Sequence, residues 1–400
     1  MKHIFQKTHN KMVVLFVGFD AGARAESDKY SPGLAHMLEH MMFKGTEKRS
    51  YLDLPREIAF LGGSVNAFTS HEKVAYFIKV PYENFEAGAE ILSDMIFNST
   101  FPEEEFVKEK EVVFEECLSY KDQVAYDLGV SFDHEFFSGR LQTDVIGTEE
   151  SIKGFTREEL VSFYSEFYST ESGILAISGD LDEEHVRSVS EKYFGKETAF
   201  IKKDMLEEMS YKPAKEVTLL KPDIEQSYVY IAYPGLKTGD SKAVVFSVLR
   251  EVLGSGMDSR LFTEVREKNN LCYGIGMSAL SHLEIGATII TSSTRAENIE
   301  KMKELIDIEI DKIRTEKVSE EELQRAKNKL RSNLYSVYDS GDSLARDTLN
   351  RTFFGLPSLE KISEELDKVT QQEVLDLAKS LFLDEHKMVF VLKSEDVDEN

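Results

Sequence analysis

Two cysteines, Cys117 and Cys272, are all that the 400 residues contain. A disulfide scaffold in a chain of this length needs more, and a tetrathiolate zinc site is excluded by count. Two thiols fit a reducing compartment, so the expected location is cytoplasmic. No stretch reaches the ~18 consecutive apolar residues of a membrane span, and no membrane partner is expected. The apolar run Met12–Phe19, followed by Ala21-Gly22-Ala23-Arg24-Ala25, has the outline of a signal peptide. Asp20 and Arg24 fit that outline poorly, and a buried strand accounts for the same run. Basic residues are in short supply: 48 Lys and Arg against 73 Asp and Glu leave a net charge of -25. That balance argues against nucleic acid as a partner, because phosphate binding needs a basic face. The 23 glycines and 8 prolines are modest numbers that do not indicate long disordered tracts.

What is present is an ordinary globular composition, 41% hydrophobic and 10% aromatic. The length suits two domains of roughly 200 residues each. In the first half, Val13–Phe19 reads as a strand, and Ser31 can cap a helix that opens at Pro32 and closes before Gly45. Ser64–Val80 is rich in β-branched and aromatic residues and reads as a hairpin. Pro102 opens a long helix with Glu103, Glu104 and Glu105 in its first turn, where the dipole favours acids. Gly173–Gly179 is a strand, and Glu183–Phe194 a helix. Residues 196–215 are charged, lack apolar periodicity and contain Pro213, so they are expected to link the domains. The second half repeats the order of strand, turn and glycine-closed helix with Ser227–Tyr233 and Asp240–Leu253. Sliding Gly45 onto Gly254 sets His36, Glu39 and His40 opposite Val245, Val248 and Leu249. The expected architecture is therefore α+β, with two similar domains related by duplication: 1–195 and 216–400. Each would hold a mostly antiparallel β-sheet packed with α-helices, and only the first keeps polar chemistry on its glycine-closed helix.

That chemistry lies in Leu34-Ala35-His36-Met37-Leu38-Glu39-His40-Met41-Met42. Residues four apart share a helix face, so His36 and His40 can present two imidazoles to one ion. Glu39 lies on the adjoining edge, within reach of a metal-bound water without being a ligand. Two imidazoles and a carboxylate on an otherwise apolar helix are costly unless paired or metal-bound. The order His-x-x-Glu-His is a zinc signature of the inverted type. Catalytic zinc takes three protein ligands and leaves a position open, so a third ligand must come from elsewhere. The Pro102 helix offers Glu109, Glu115 and Glu116. Glu109 and Glu116 are two turns apart and share a face with Val112 and Val113. Spacing alone does not choose between Glu115 and Glu116.

With the His36-Met37-Leu38-Glu39-His40 motif and Glu116 well beyond it, the chain resembles the pitrilysin family of inverted zincins. The likeness is to its two-domain type, that of mitochondrial processing peptidase subunits and their bacterial relatives. Ala21-Gly22 with Glu26 resembles that family's strand exit, and Gly62–Ser70 its substrate strand. Val112-Val113-Phe114-Glu115-Glu116 resembles its third-ligand helix. The resemblance implies that one zinc ion per chain is held by His36, His40 and Glu116, that Glu39 is the catalytic base, and that Glu109 supports the site. It further implies that Asn66, Ala67, Phe68 and Thr69 accept a peptide as an added strand. Gly254–Phe262, Val265–Lys268 and Leu271–Tyr273 resemble the C-terminal signature, in which Arg266 and Tyr273 reach substrate near the zinc. Phe136–Ile146 lacks a run common in the family. The expected activity is a zinc metalloendopeptidase acting on peptides or unfolded segments, inside a dimeric chamber. A homodimer suffices and a heterodimer is the alternative. A non-catalytic or partner-dependent subunit and a dedicated maturation protease are the competing readings. The acid excess would serve solubility, or would draw basic peptides into the chamber.

Overall fold

The structure is a computed structural model that describes residues 1–203, 206–222 and 224–394. The chain forms two compact units. The first takes Met1–Val130, residues 140–203 and Ser336–Leu356; the second takes residues 131–139, 206–222, 224–335 and 357–394.

The first unit is built on a five-stranded sheet. Its strands are β1 (Lys2–Lys7), β2 (Met12–Phe19), β3 (Ser64–Thr69), β4 (Val74–Pro81) and β5 (Gly173–Gly179), in the spatial order β1-β5-β2-β4-β3. Only β1 and β5 run parallel; the other neighbours are antiparallel. The second unit holds β6 (Lys215–Lys221), β7 (Ser227–Gly235), β8 (Ile275–Ser281), β9 (Gly286–Thr294) and β10 (Met388–Ser394), in the order β6-β10-β7-β9-β8. Here β6 and β10 are parallel and the rest antiparallel. Counted from its own first strand, each sheet reads 1-5-2-4-3 with the same parallel pair. The fold is α+β in two similar halves, and the shared strand order expresses the duplication.

The central strand β2 is apolar at nearly every position because both faces of its sheet are covered. On one face Val13, Leu15 and Val17 join a core with α1 (Leu34–Met41), α2 (Asp53–Phe60), α3 (Phe85–Phe97) and α4 (Glu103–Lys121). On the other, Val14, Phe16, Ala75, Ile174 and Ala176 pack against Ala345, Leu349 and Phe353 of the helix Gly341–Phe354. Gly18 allows that approach, since a methyl there would come within 2.9 Å of the Leu349 side chain. The first sheet is thus completed by a helix from far down the chain, which contiguous boundaries at 195 and 216 do not accommodate. In the second unit, the helix after β7 is Ala243–Gly254, with Val248 and Leu249 fully buried.

The expected linker is structured on both sides of residues 204 and 205, which lie outside the described residues. Within the first unit, Thr198 N–H donates to Met1 O, Ile201 N–H to Glu171 O and Lys203 N–H to Asp20 Oδ2. Within the second, Ser210 N–H donates to Ser138 Oγ and the Tyr211 hydroxyl to Gly286 O. No helix among the described residues is long and apolar enough to cross a membrane.

Candidate metal centre

The histidine helix α1 begins at Leu34, later than the Ser31-Pro32 signal suggests. Gly33 precedes it with φ of 90°, a left-handed conformation that favours glycine. The first-turn donors are satisfied from a distance: Glu26 accepts the N–H of Gly33 at 3.1 Å and of Ala35 at 2.9 Å. Leu34, Ala35, Met37, Leu38, Met41 and Met42 are buried, so α1 is fixed by its apolar sides. His36, Glu39 and His40 occupy its one partly open edge.

Opposite lies α4, whose buried stripe is Phe106, Glu109, Val113 and Cys117. Val112, expected on that face, is exposed instead, because the stripe is only one residue wide per turn. Glu115 is exposed, whereas Glu116 faces α1. Glu116 Oε2 lies 3.3 Å from His40 Nε2 and 4.0 Å from His36 Nε2. One donor atom from each of His36, His40 and Glu116 falls within 4.8 Å of the others.

The surrounding charges hold His36 neutral and Glu116 ionised, the forms a cation requires, whereas His40 must release a proton to bind one. His40 Nδ1 bonds Glu109 Oε1 at 2.9 Å, which leaves Nε2 turned toward Glu116. Glu109 is 5% exposed and its other oxygen pairs with Lys44 Nζ. Burial works to raise Glu109, but His40 and Lys44 outweigh it and keep its carboxyl below the usual range. Burial likewise opposes charge on His40, yet the bonds to Glu109 and Glu116 push it up to about 9. His36 is lowered to about 4 by burial and by His40 beside it, so it stays neutral. Glu116 is held low first by its bond to His40, then by the His40 charge and the Tyr120 hydroxyl, with burial opposing. Without a metal the cluster therefore keeps a proton on His40 between two carboxylates.

Two imidazole nitrogens and a carboxylate oxygen are the donor set of a catalytic zinc site. Ligands of tetrahedral zinc at about 2.0–2.1 Å stand roughly 3.3 Å apart. The observed separations of 3.3 and 4.0 Å need only small side-chain shifts to close. The residues present fit the ion.

Glu39 stands beside this cluster, and Thr69 Oγ1 donates to its Oε2 at 2.5 Å. Burial raises the Glu39 carboxyl, with the Thr69 bond pulling the other way. Behind it the hydroxyls of Tyr76 and Tyr168 meet at 2.8 Å. Thr69 ends β3, an edge strand whose outer backbone groups have no neighbour in the sheet. Val65 and Ala67 point to the α1 face, and Phe68 to the opposite face; Asn66 is exposed.

Arg266 and Tyr273 belong to the second unit, where they meet each other. The Arg266 guanidinium lies 4.5 Å from the Phe262 ring centroid and 5.3 Å from that of Tyr273, which is 84% exposed. Arg266 sits in Phe262–Lys268, a helix wound with π-type bonds, a form often found at functional sites. Sequence reading placed Glu26 at the strand exit but missed its capping of α1, and it missed Lys44, Thr69's bond to Glu39, and Tyr120. Tyr120 had a signal, since it lies one turn after Glu116 on the same helix. Glu26 had none in spacing, because it caps α1 from another segment.

Residues 3–128 match the family model described as insulinase, peptidase family M16. Residues 154–330 match the model described as peptidase M16 inactive domain. An uncharacterized zinc protease of Bacillus subtilis is 30% identical over 389 residues, covering 96% of this chain and 94% of that protein. A probable mitochondrial-processing peptidase subunit beta of Arabidopsis thaliana is 27% identical over 84% of this chain and 65% of its own length. The crystal structure of a protease from Helicobacter pylori superposes with a TM-score of 0.88 at 20% identity, covering 98% of this chain and 96% of the other.

Proposed function

Since the chain belongs to the insulinase family of peptidases (family M16), the pitrilysin family its motif resembles, we propose that it is a zinc-dependent endopeptidase acting on peptides or unfolded segments. The observation that carries this reading is the convergence of His36, His40 and Glu116 on one point with Glu39 beside it.

A zinc ion held there by His36, His40 and Glu116, one per chain, supplies Lewis acidity that activates water and polarises a carbonyl. The chain's own residues do the rest. Glu39 accepts the proton of the attacking water and returns it to the leaving amine. Burial raises the Glu39 carboxyl, which favours its holding the proton, and Thr69 holds its carboxylate in place. Glu109 positions His40 and touches neither substrate nor reacting atoms. A peptide would add to the open edge of β3 along Asn66, Ala67, Phe68 and Thr69 by main-chain hydrogen bonds, a mode tolerant of sequence. We assign to Arg266 and Tyr273 the holding of substrate and of developing negative charge. The working unit we propose is a homodimer that encloses a chamber and completes each site with Arg266 and Tyr273 of the other copy. A heterodimer is the alternative.

The test is cleavage of a mixed, unstructured peptide pool by the purified protein, with and without a zinc chelator, alongside Glu39→Gln. Chelator-sensitive cleavage that vanishes in Glu39→Gln, while that variant still binds zinc, supports the peptidase. A fully active Glu39→Gln removes Glu39 as base. No cleavage by zinc-loaded, dimeric protein removes the general, self-sufficient peptidase and favours an obligate hetero-partner or a protease for one narrow precursor.

A further inference from the structure

The chain as a whole carries a net charge of -25. The far side of the β3 edge is locally basic. On that face of the first sheet, Phe16, Phe77 and Phe68 form an aromatic row across β2, β4 and β3. Arg346, from the helix Gly341–Phe354, lies over all three. Its guanidinium carbon is 5.6, 5.8 and 5.2 Å from their respective ring centroids. Arg346 is exposed, and among the described residues it makes no ion pair. Asp342, one turn earlier, does not pair with it, and Asp347 pairs with Arg351. A guanidinium held by rings instead of by a carboxylate keeps its donor fork free and pre-organised.

A second cation stands next to it. Lys73 follows the β3–β4 turn, and its Nζ lies 5.9 Å from the Phe68 centroid and 4.6 Å from that of Phe354. Lys73 is only 7% exposed, yet its ammonium has no hydrogen-bonded carboxylate among the described residues. Its neighbour Glu72 pairs with Arg24 at 3.9 Å. Lys202 Nζ adds charge 4.6 Å from the Phe353 centroid. Burial lowers Lys73 to about 8, Glu72 opposes, and Lys202 and Arg346 lower it further. Holding a nearly buried ammonium beside two more cations is costly, and an anion arriving there would reduce that cost.

We propose that Arg346 and Lys73 form a carboxylate subsite beside β3, selecting peptides with an acidic side chain or a terminal carboxylate next to Phe68. The inference rests on the reading of β3 as the substrate strand. A strand added to β3 lies about 4.8 Å beyond it. Its side chains alternate between the face of Glu39 and the face of Arg346. A side chain on the latter face stands roughly 5 Å from Phe68, so a glutamate there reaches the guanidinium. Because Thr69 touches Glu39, this residue lies close in sequence to the scissile bond.

The experiment uses the full-length zinc-loaded protein and fluorescent peptides identical except for Glu, Gln or Lys at each position around the cut site. Each is made with a free and an amidated C-terminus. Cleavage is measured with the unaltered protein, and binding by anisotropy with Glu39→Gln. At one position the glutamyl peptide should bind and be cleaved about tenfold better than the glutamine peptide, through KM. Arg346→Glu should invert the preference toward lysine, and Lys73→Met should weaken it. If only the free-acid peptides gain, the anion recognised is the terminal carboxylate. Cleavage that is indifferent to charge, in both the unaltered protein and Arg346→Glu, overturns the subsite and leaves the peptidase standing. Charge-selective binding without cleavage keeps the subsite and removes the peptidase. Neither binding nor cleavage removes both.

Discussion

At the scale of single residues, the site is a balance of charge. Glu109 gives up one oxygen to His40 and the other to Lys44, so it fixes the imidazole without competing for the metal. Such outer partners typically contribute 10–100-fold in metal affinity. Glu109→Gln should therefore weaken zinc binding by about that factor while leaving the fold intact, and competition with a chromogenic chelator would read it. Glu116→Gln should lose binding altogether. Zinc at about 100 times its Kd should stabilise the unaltered protein by about 2.7 kcal/mol, and Glu116→Gln not at all, which a thermal melt in graded zinc checks. An unchanged melting shift in Glu116→Gln would move the third ligand elsewhere. The sequence displayed His36, Glu39 and His40 because their spacing is a helix property. It could not separate Glu115 from Glu116 by spacing, since adjacent helical positions differ by about 100° and only the packing of α4 says which faces α1.

At the scale of elements, α1 owes its start to a residue outside it. Glu26 is 3% exposed and accepts the N–H of Gly33 and Ala35, the donors a side-chain cap would have taken. Burial pushes its carboxyl up to about 8, with the N–H bonds of Ala35 and Gly33 holding it back. That value lies above the one an unfolded glutamate shows. Between pH ~4.5 and 8 the folded chain thus keeps a proton that the unfolded chain has released. The stability linked to Glu26 is fully present below pH ~4.5 and is lost as pH rises through about 8. Urea unfolding of the unaltered protein and of Glu26→Gln at pH 5, 6, 7 and 8 should show the former losing ground to the latter across the series. Parallel curves would mean that Glu26 is ionised throughout. The cap was illegible because Ser31 and Pro32 give a stronger local signal, and no spacing rule links position 26 to 35. Two edge strands were hidden for a different reason. β1 (KHIFQK) and β6 (KEVTLLK) carry lysines and interrupted apolar patterns, as edge strands often do, and resemble loops in the sequence. The buried β2 was plain because both its faces are covered.

At the scale of the whole molecule, the two equal sheet orders show a duplication, and the halves nevertheless do not separate at the middle of the chain. Val14, Phe16, Ala75, Ile174 and Ala176 form the face of the first sheet opposite α1. What covers that face is the helix Gly341–Phe354, with Leu344, Ala345, Leu349 and Phe353 all buried. The attachment is also polar: the fully buried Ser178 hydroxyl donates to Gly341 O at 2.6 Å. A fragment ending at residue 203 would carry His36, Glu39, His40 and Glu116 and yet expose an apolar sheet face, with the Ser178 hydroxyl left to water. Exposed apolar surface of that kind drives aggregation, and each buried large side chain left uncovered costs about 1.5–3 kcal/mol. Residues 1–203 alone should therefore be aggregated or bind a hydrophobic dye strongly. The same fragment fused through a flexible linker to residues 336–356 should regain solubility and zinc binding. A soluble, dye-silent, zinc-binding 1–203 would show that the first sheet tolerates an open face, and the sequence boundary at 195 would then be the functional one. The expected result instead makes the catalytic half dependent on a helix that follows the second sheet's first four strands. A truncated gene product could then not assemble a free peptidase site before the chain is nearly complete.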